Sequence, residues 1–474
     1  MKRIALLISL CILASFIIYI ALVCLPYTHQ KDVSSDVKKD FNIDDYYSDS
    51  AGCDRAMILS DNGDALAERV RLIANAKNSV TLSTFDFKAD VSGKILMAAM
   101  YDAAKRGVKV QILIDGFSYL THCKDDPYFE ALGSHENVTL KVYNPVNPAK
   151  PTKLMARMHD KYVIVDDTAY ILGGRNSYDY FLGEHDGYKN YDWDVLVYNT
   201  QNSPNSSLYQ VREYFENVWE LDICKEMYKK PSKASKKNSS KYLDELDSIY
   251  SGLKADHGKW FEETAYTLVT SATNNIRLVS NPIEPSVKEP VVFYTMTELM
   301  AQSDEKIVFH TPYIMCNKYM LQRLSKICSD NDNVWLMTNS VANNGNPFGA
   351  TDYLLHKSDI IDTGVNILEY DEGVSYHGKC FTIGDRITAI GSFNWDMRSA
   401  YLDTELMLII DSTELTSAMQ KEMNAYEENA LIVTGSDSYI SSDGTAATPK
   451  EISKKRKLRI ALIKPIDWLI RFLM

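Results

Sequence analysis

Two stretches of the chain align without a gap: HDKYVIVDDTAYILGGRN at 159–176 and HGKCFTIGDRITAIGSFN at 377–394. Counted from the histidine, lysine falls at +2, glycine at +14 and asparagine at +17 in both copies. Each copy reads as an apolar strand, a two-residue Asp/Gly turn, a second apolar strand and a glycine turn, which is a β-hairpin. Residues two apart on a strand point to one face, so each hairpin offers an imidazole beside an ammonium. That pairing makes a poor core and a good cradle for a phosphate. A single His-x-Lys is usually a surface accident. Two copies with matched asparagines on matched hairpins are not, because no packing rule requires them.

Outward from each hairpin, strand-like and helix-like patterns alternate, the mark of an α/β sheet protein. In the first half Ser79–Phe87 and Lys109–Ile114 predict strands on either side of helical spacing over Gly93–Lys105. In the second, Lys306–His310 and Val334–Thr338 flank a helix-like stretch at Lys318–Cys328. Between them, residues 229–241 (KKPSKASKKNSSK) hold little that could be buried and predict a linker. The expected layout is a transmembrane anchor at 1–28, a first half at 45–228 and a Lys/Ser-rich linker at 229–257. A second half follows at 258–432, then a flexible tether and basic-apolar tail at 433–474.

The ends carry their own signals. Residues 4–25 contain no charge and are long enough to cross a bilayer as a helix, with a cleaved signal peptide as the rival reading. Residues 454–474 begin with a basic cluster and run into an apolar stretch. That composition suits either a segment lying on anionic lipid or a final helix docked on the protein's own core. The net charge of −12 gives no overall basic footprint for nucleic acid, although a local cleft could still be cationic. Eight cysteines show no C-x-x-C pair. They read as small buried residues, or as one or two disulfides if the body is exported.

Two histidines can split displacement at phosphorus into two steps. A neutral imidazole attacks phosphorus, while a protonated one donates to the departing alkoxide and later takes a proton from the incoming alcohol or water. Lys161, Lys379, Asn176 and Asn394 would surround the phosphoryl oxygens with charge and donors. This scheme needs no metal or other cofactor, and no carboxylate–histidine cluster at metal-ligand spacing stands out. Carboxylates that could fix the imidazole tautomers are Asp194 and Glu405, each at the start of an apolar strand. Ordinary strand ends are the alternative. Ser392, in the second glycine turn, joins them as a supporting residue. Asp166, in the first hairpin turn, has a structural duty; its second-copy equivalent is Gly384, followed by Asp385.

These motifs resemble the phospholipase D superfamily, whose signature is His-x-Lys with a later Asp and a Gly-x-x-Asn segment. Closer detail resembles the bacterial cardiolipin synthase branch: R-M-H-D-K…G-G-R-N with Asp192-Trp193-Asp194 downstream, and H-G-K…G-S-F-N-W-D-M-R-S-A-Y-L-D-T-E. The resemblance implies two similar α/β halves, each a mixed sheet flanked by helices, related by a pseudo-twofold axis. It also implies His159 and His377 facing each other across a cleft, a phosphatidyl-histidine on the first-copy histidine, and Asp194 and Glu405 as orienting groups. A phospholipid substrate, a bacterial cell membrane and no nucleic-acid partner follow from the same analogy. Phosphatidyl transfer, as in making cardiolipin, is the leading expectation. A membrane-tethered nuclease or other phosphodiesterase on the same fold, and an inactive membrane scaffold, are the alternatives.

Overall fold

The computed structural model describes residues 2–228 and 233–474. At its centre are two mixed sheets that repeat one plan. The first contains β1 (Asp54–Leu59), β2 (Ser79–Thr84), β3 (Lys109–Asp115), β4 (Val138–Tyr143), β5 (Lys161–Val165), β6 (Ala169–Gly173) and β7 (Asp194–Asn199), ordered β1-β7-β6-β5-β2-β3-β4. The second contains β8 (Asn275–Ser280), β9 (Ile307–His310), β10 (Val334–Asn339), β11 (Asn366–Tyr370), β12 (Cys380–Ile383), β13 (Ile387–Gly391) and β14 (Leu406–Asp411), ordered β8-β14-β13-β12-β9-β10-β11. The orders are the same, strand for strand. In each sheet three adjacent strands, β2-β3-β4 and β9-β10-β11, run parallel and the hairpin strands pair antiparallel.

The hairpin sequences explain why the sheets lie back to back. YVIV and AYIL lack the apolar-polar alternation of a sheet with one wet face, so both faces must be covered. In β5 and β6, Val163, Val165, Ala169 and Ile171 join a core under the first half's helices. Tyr162, Ile164, Tyr170 and Leu172 point the other way, into a core shared with Ile390, Leu406, Leu408 and Ile410 of the second half. Helices thus cover the outside of each sheet, and the two sheets bury their inner faces against each other. Two short parallel contacts stitch the halves at the hairpin starts: Met158 bridges Thr404, and Tyr376 pairs with Tyr191.

Two expectations about the connecting segments need correction, and the tail takes the docked one of its two readings. Most of the predicted linker is a helix, Lys233–Asp256, whose Leu246, Tyr250 and Leu253 are buried in the first half's outer core. Its second half carries apolar residues at helical spacing that the Lys/Ser-rich start obscures; residues 229–232 lie outside the described residues. The predicted tether is not free coil, since Ala430–Gly435, Ser438–Ile440 and Ala446–Ala447 extend the second sheet. The tail is docked: Arg456 donates to the Val341 and Asn344 carbonyls, Arg471 pairs with Asp352, and Met474 is buried. Its outer side nevertheless exposes Leu458, Leu462, Trp468 and Leu469.

At the other end, the helix Lys2–Cys24 is long and apolar enough to cross a membrane, and residues 4–20 are almost entirely exposed. Its continuation is not: Tyr27 is buried in the second half's core and donates to the Thr152 carbonyl at 2.9 Å. All eight cysteines are unbridged, most of them buried or half-buried.

Candidate active site

The two hairpins open onto one cavity of about 340 Å³, and both His159 and His377 line it. The remaining wall mixes aromatic rings, among them Phe85, Tyr178, Tyr180, Phe181 and Tyr313, with polar groups that include Asn176, Asn344 and Ser375. Each imidazole is packed edge-to-face on a ring from the first half: His159 on Phe85 at 5.1 Å, His377 on Phe181 at 5.0 Å between centroids.

The orienting carboxylates are crossed between the halves. His159 Nδ1 lies 2.9 Å from Glu405 Oε1 of the second half, and His377 Nδ1 lies 2.6 Å from Asp192 Oδ2 of the first. With Nδ1 engaged, Nε2 is left as the ring nitrogen for the cavity. Neither half can therefore build a complete histidine site alone.

Asp194 is not an orienting group. Its buried carboxylate binds Arg69 at 2.9 Å and Arg175 at 3.2 Å, and touches neither histidine. The sheet register explains the difference. Gly173 pairs with Asp194 and Gly391 pairs with Met407, so the position matching Glu405 is Asp192. The connection from Asn176 to Asp192 is 16 positions and that from Asn394 to Glu405 is 11, so ungapped spacing hides the match. The downstream Asp192-Trp193-Asp194 was visible as a motif; which of its carboxylates faces a histidine was not. Both glycines of G-G-R-N make room here, because a Cβ on Gly173 would meet Asp194 and one on Gly174 would meet Asp192.

Both lysines are buried beside their histidines. Lys161 Nζ donates to the His159 carbonyl, and Lys379 Nζ sits 2.6 Å from His377 Nδ1 and 3.5 Å from Asp192. Asn176 accepts from the Asp86 amide at 3.3 Å; Asn394 is buried and its side-chain oxygen has no hydrogen-bond partner among the described residues. Ser392 donates to Glu405 Oε2. Asp166 takes φ +49° in the hairpin turn and accepts from the Lys77, Asn78 and Ser79 amides, which fixes the start of β2. At the equivalent Gly384 (φ +55°) the side chain of Glu305 fills the place an aspartate would need. Ser399 accepts from the Asn394 amide at 3.2 Å, and Arg398 ties Asp403 to the Met155 and Leu473 carbonyls.

Burial sets the electrostatics. It holds His159 well below the usual histidine range, with Lys161 and Lys379 adding to the effect. Burial and then Lys379 lower His377 to about 4, against the opposing pull of Asp192. Lys161 is lowered to about 7 by burial. The two carboxylates diverge. Burial raises Glu405 to about 8 despite Lys161, whereas for Asp192 burial is outweighed by Lys379 and His377, which keep it below its ordinary value. Asp192, held below its ordinary value, favours an imidazolium at His377 more than Glu405, raised by burial, favours one at His159.

Comparison with known proteins agrees with this architecture. Residues 70–219 and 296–426 match the family described as cardiolipin synthase, PLD-like domain. Cardiolipin synthase C of Escherichia coli (strain K12) is 24% identical over 470 aligned positions, covering 86% of this chain and 94% of that protein. An uncharacterized protein of Helicobacter pylori is 24% identical over 410 positions, covering 79% and 80%. Among solved structures, phosphatidylserine synthase from Haemophilus influenzae Rd KW20 shares the fold, with a TM-score of 0.62 over 88% of this chain and 95% of that one at 15% identity. The chain belongs to the phospholipase D superfamily, in its cardiolipin synthase-like branch.

Proposed function

We propose that this protein is a membrane-anchored phosphatidyltransferase that converts glycerophospholipids to a cardiolipin-type product through a phosphohistidine on His159. The observation that carries the proposal is the crossed arrangement: two imidazoles on one cavity, each held through Nδ1 by a carboxylate of the opposite half. His159 Nε2 attacks phosphorus, and the bond from phosphorus to the headgroup oxygen breaks. The departing alkoxide takes its proton from His377, which the ionised Asp192 stabilises as imidazolium. His377, now neutral, takes the proton of a second lipid's hydroxyl as that oxygen attacks phosphorus, and the bond to His159 breaks. Two phosphatidylglycerols then give one cardiolipin and one glycerol. Lys161, Lys379 and the two asparagines stabilise charge on the phosphoryl oxygens.

The anchor reading rests on the exposed apolar helix Lys2–Cys24, supported by the exposed Leu458, Leu462, Trp468 and Leu469 beside basic residues of the tail. Both would hold the aromatic cavity beside lipid. The test is incubation of the purified chain with phosphatidylglycerol in mixed micelles and, separately, with single-stranded DNA. Cardiolipin and glycerol are expected. Nucleotide release without lipid turnover would make the protein a tethered nuclease, and silence on both from folded protein would make it a scaffold.

A further inference from the structure

The second half holds a side-chain cluster that phosphoryl transfer does not use. Asp352 and His356 lie four positions apart on the helix Pro347–Ile361, hence on one face. Asp467, at the start of the short helix Asp467–Ile470, reaches them from the tail. One ligand-type atom from each of the three lies within 4.8 Å of the others. Asp352 and Asp467 are 1% and 2% exposed, and Asp467 Oδ1 is buried with no hydrogen-bond partner among the described residues. His356 Nε2 is 3.8 Å from Asp467 Oδ2, too long for a hydrogen bond. It is close to the spacing of roughly 3.4 Å between two donors on one tetrahedral ion.

The surroundings have the form of an outer coordination shell. His356 Nδ1 lies 3.0 Å from Asp359 Oδ2, which orients Nε2 toward the aspartates as a metal-bound imidazole is usually oriented. Arg471 holds the Asp352 carboxylate and donates to the Cys316 carbonyl at 2.9 Å. Two carboxylates and one imidazole, with no thiolate, suit a borderline divalent ion and leave a position for water. Mg²⁺, which prefers a near-ideal octahedron of oxygens, suits the set less well.

We propose that Asp352, His356 and Asp467 form a structural site for a divalent cation of the Zn²⁺ type, which pins the C-terminal tail to the second half. None of the three lines the catalytic cavity. The spacing of Asp352 and His356 was present in the sequence, but the third ligand is 111 positions after His356 and only the fold brings it there. Trp468, the next residue, is 77% exposed, so the ion would fix the base of the tail's apolar face.

The test uses the full, untagged chain in detergent, stripped with a chelator and titrated calorimetrically with ZnCl₂ or MgCl₂. One Zn²⁺ per chain, a raised melting temperature and no response to Mg²⁺ at the same concentration are expected. His356→Ala and Asp467→Asn should each abolish stoichiometric binding, and Asp359→Asn should weaken it about 10–100-fold. Should Asp467→Asn fail to fold, the more exposed His356 decides. Chelation should also speed tryptic cleavage within residues 454–464. Absent Zn²⁺ binding, or stoichiometric binding unchanged in the His356→Ala variant, would overturn the site; equal cleavage with and without chelator would overturn the pinning.

Discussion

Three aspartates and a glutamate separate catalysis from scaffolding at the residue scale. Asp192 and Glu405 hold the histidines, Asp194 neutralises two buried arginines, and Asp166 caps three backbone amides. Asp192→Asn and Glu405→Gln are therefore expected to lower kcat by about 10²–10⁴-fold in folded protein. Asp194→Asn leaves Arg69 and Arg175 without their counter-charge and should cost about 3–5 kcal/mol of stability, read as a lower urea midpoint. Equal effects of all three on kcat alone would contradict this division. The pH profile follows from the same burial. The acid His377 is lowered to about 4 and the Lys161 ammonium to about 7, so kcat/KM of the free enzyme should fall by up to tenfold per pH unit above pH 4 and more steeply above pH 7. On the acid side the nucleophile is lost only when His159 protonates, and burial holds that below pH 6.5. A kcat/KM still rising between pH 8 and 9 would remove the charged lysine from substrate binding.

The elements show how local sequence and tertiary register divide the information. The hairpins, the flanking strands and the helices after them were legible because apolar runs and Asp/Gly turns act within a few residues. Ser79–Thr84, Val91–Lys105 and Val334–Asn339 fall within a few positions of their expected bounds. What spacing could not supply was cross-sheet register, and so Asp194 stood where Asp192 belongs. The linker misled for a related reason: its Lys/Ser-rich start masks Leu246, Tyr250 and Leu253, which only become a buried face once the first half's helices are in place. Gly174→Ala tests the register directly. Its Cβ would collide with the Asp192 carboxylate, so kcat should fall as it does for Asp192→Asn. Gly384→Asp, which restores the motif aspartate, should destabilise the chain because Glu305 occupies the space. Adding Glu305→Ser should relieve that loss, measured as recovery of the melting temperature.

Across the whole molecule, duplication supplies what a single half lacks. Each half brings one His-Lys pair and the carboxylate for the other half's histidine, and the shared core between the sheets fixes the distance between them. Removing the N-terminal helix while keeping Tyr27 in its buried site, as in residues 26–474, should retain turnover in micelles and lose sedimentation with lipid vesicles. Vesicle binding equal to that of the full chain would assign membrane contact to the tail alone. In the proposed mechanism both imidazoles act on one phosphorus atom, His159 as nucleophile and His377 as acid. A phosphatidyl ester of p-nitrophenol tests it most directly, because that leaving group departs without a proton. His377→Ala should then release one equivalent of p-nitrophenolate in a burst and carry a phosphatidyl adduct on His159 by peptide mass spectrometry, while His159→Ala gives neither. A burst from His159→Ala, or an adduct on any other residue, would remove His159 as the nucleophile.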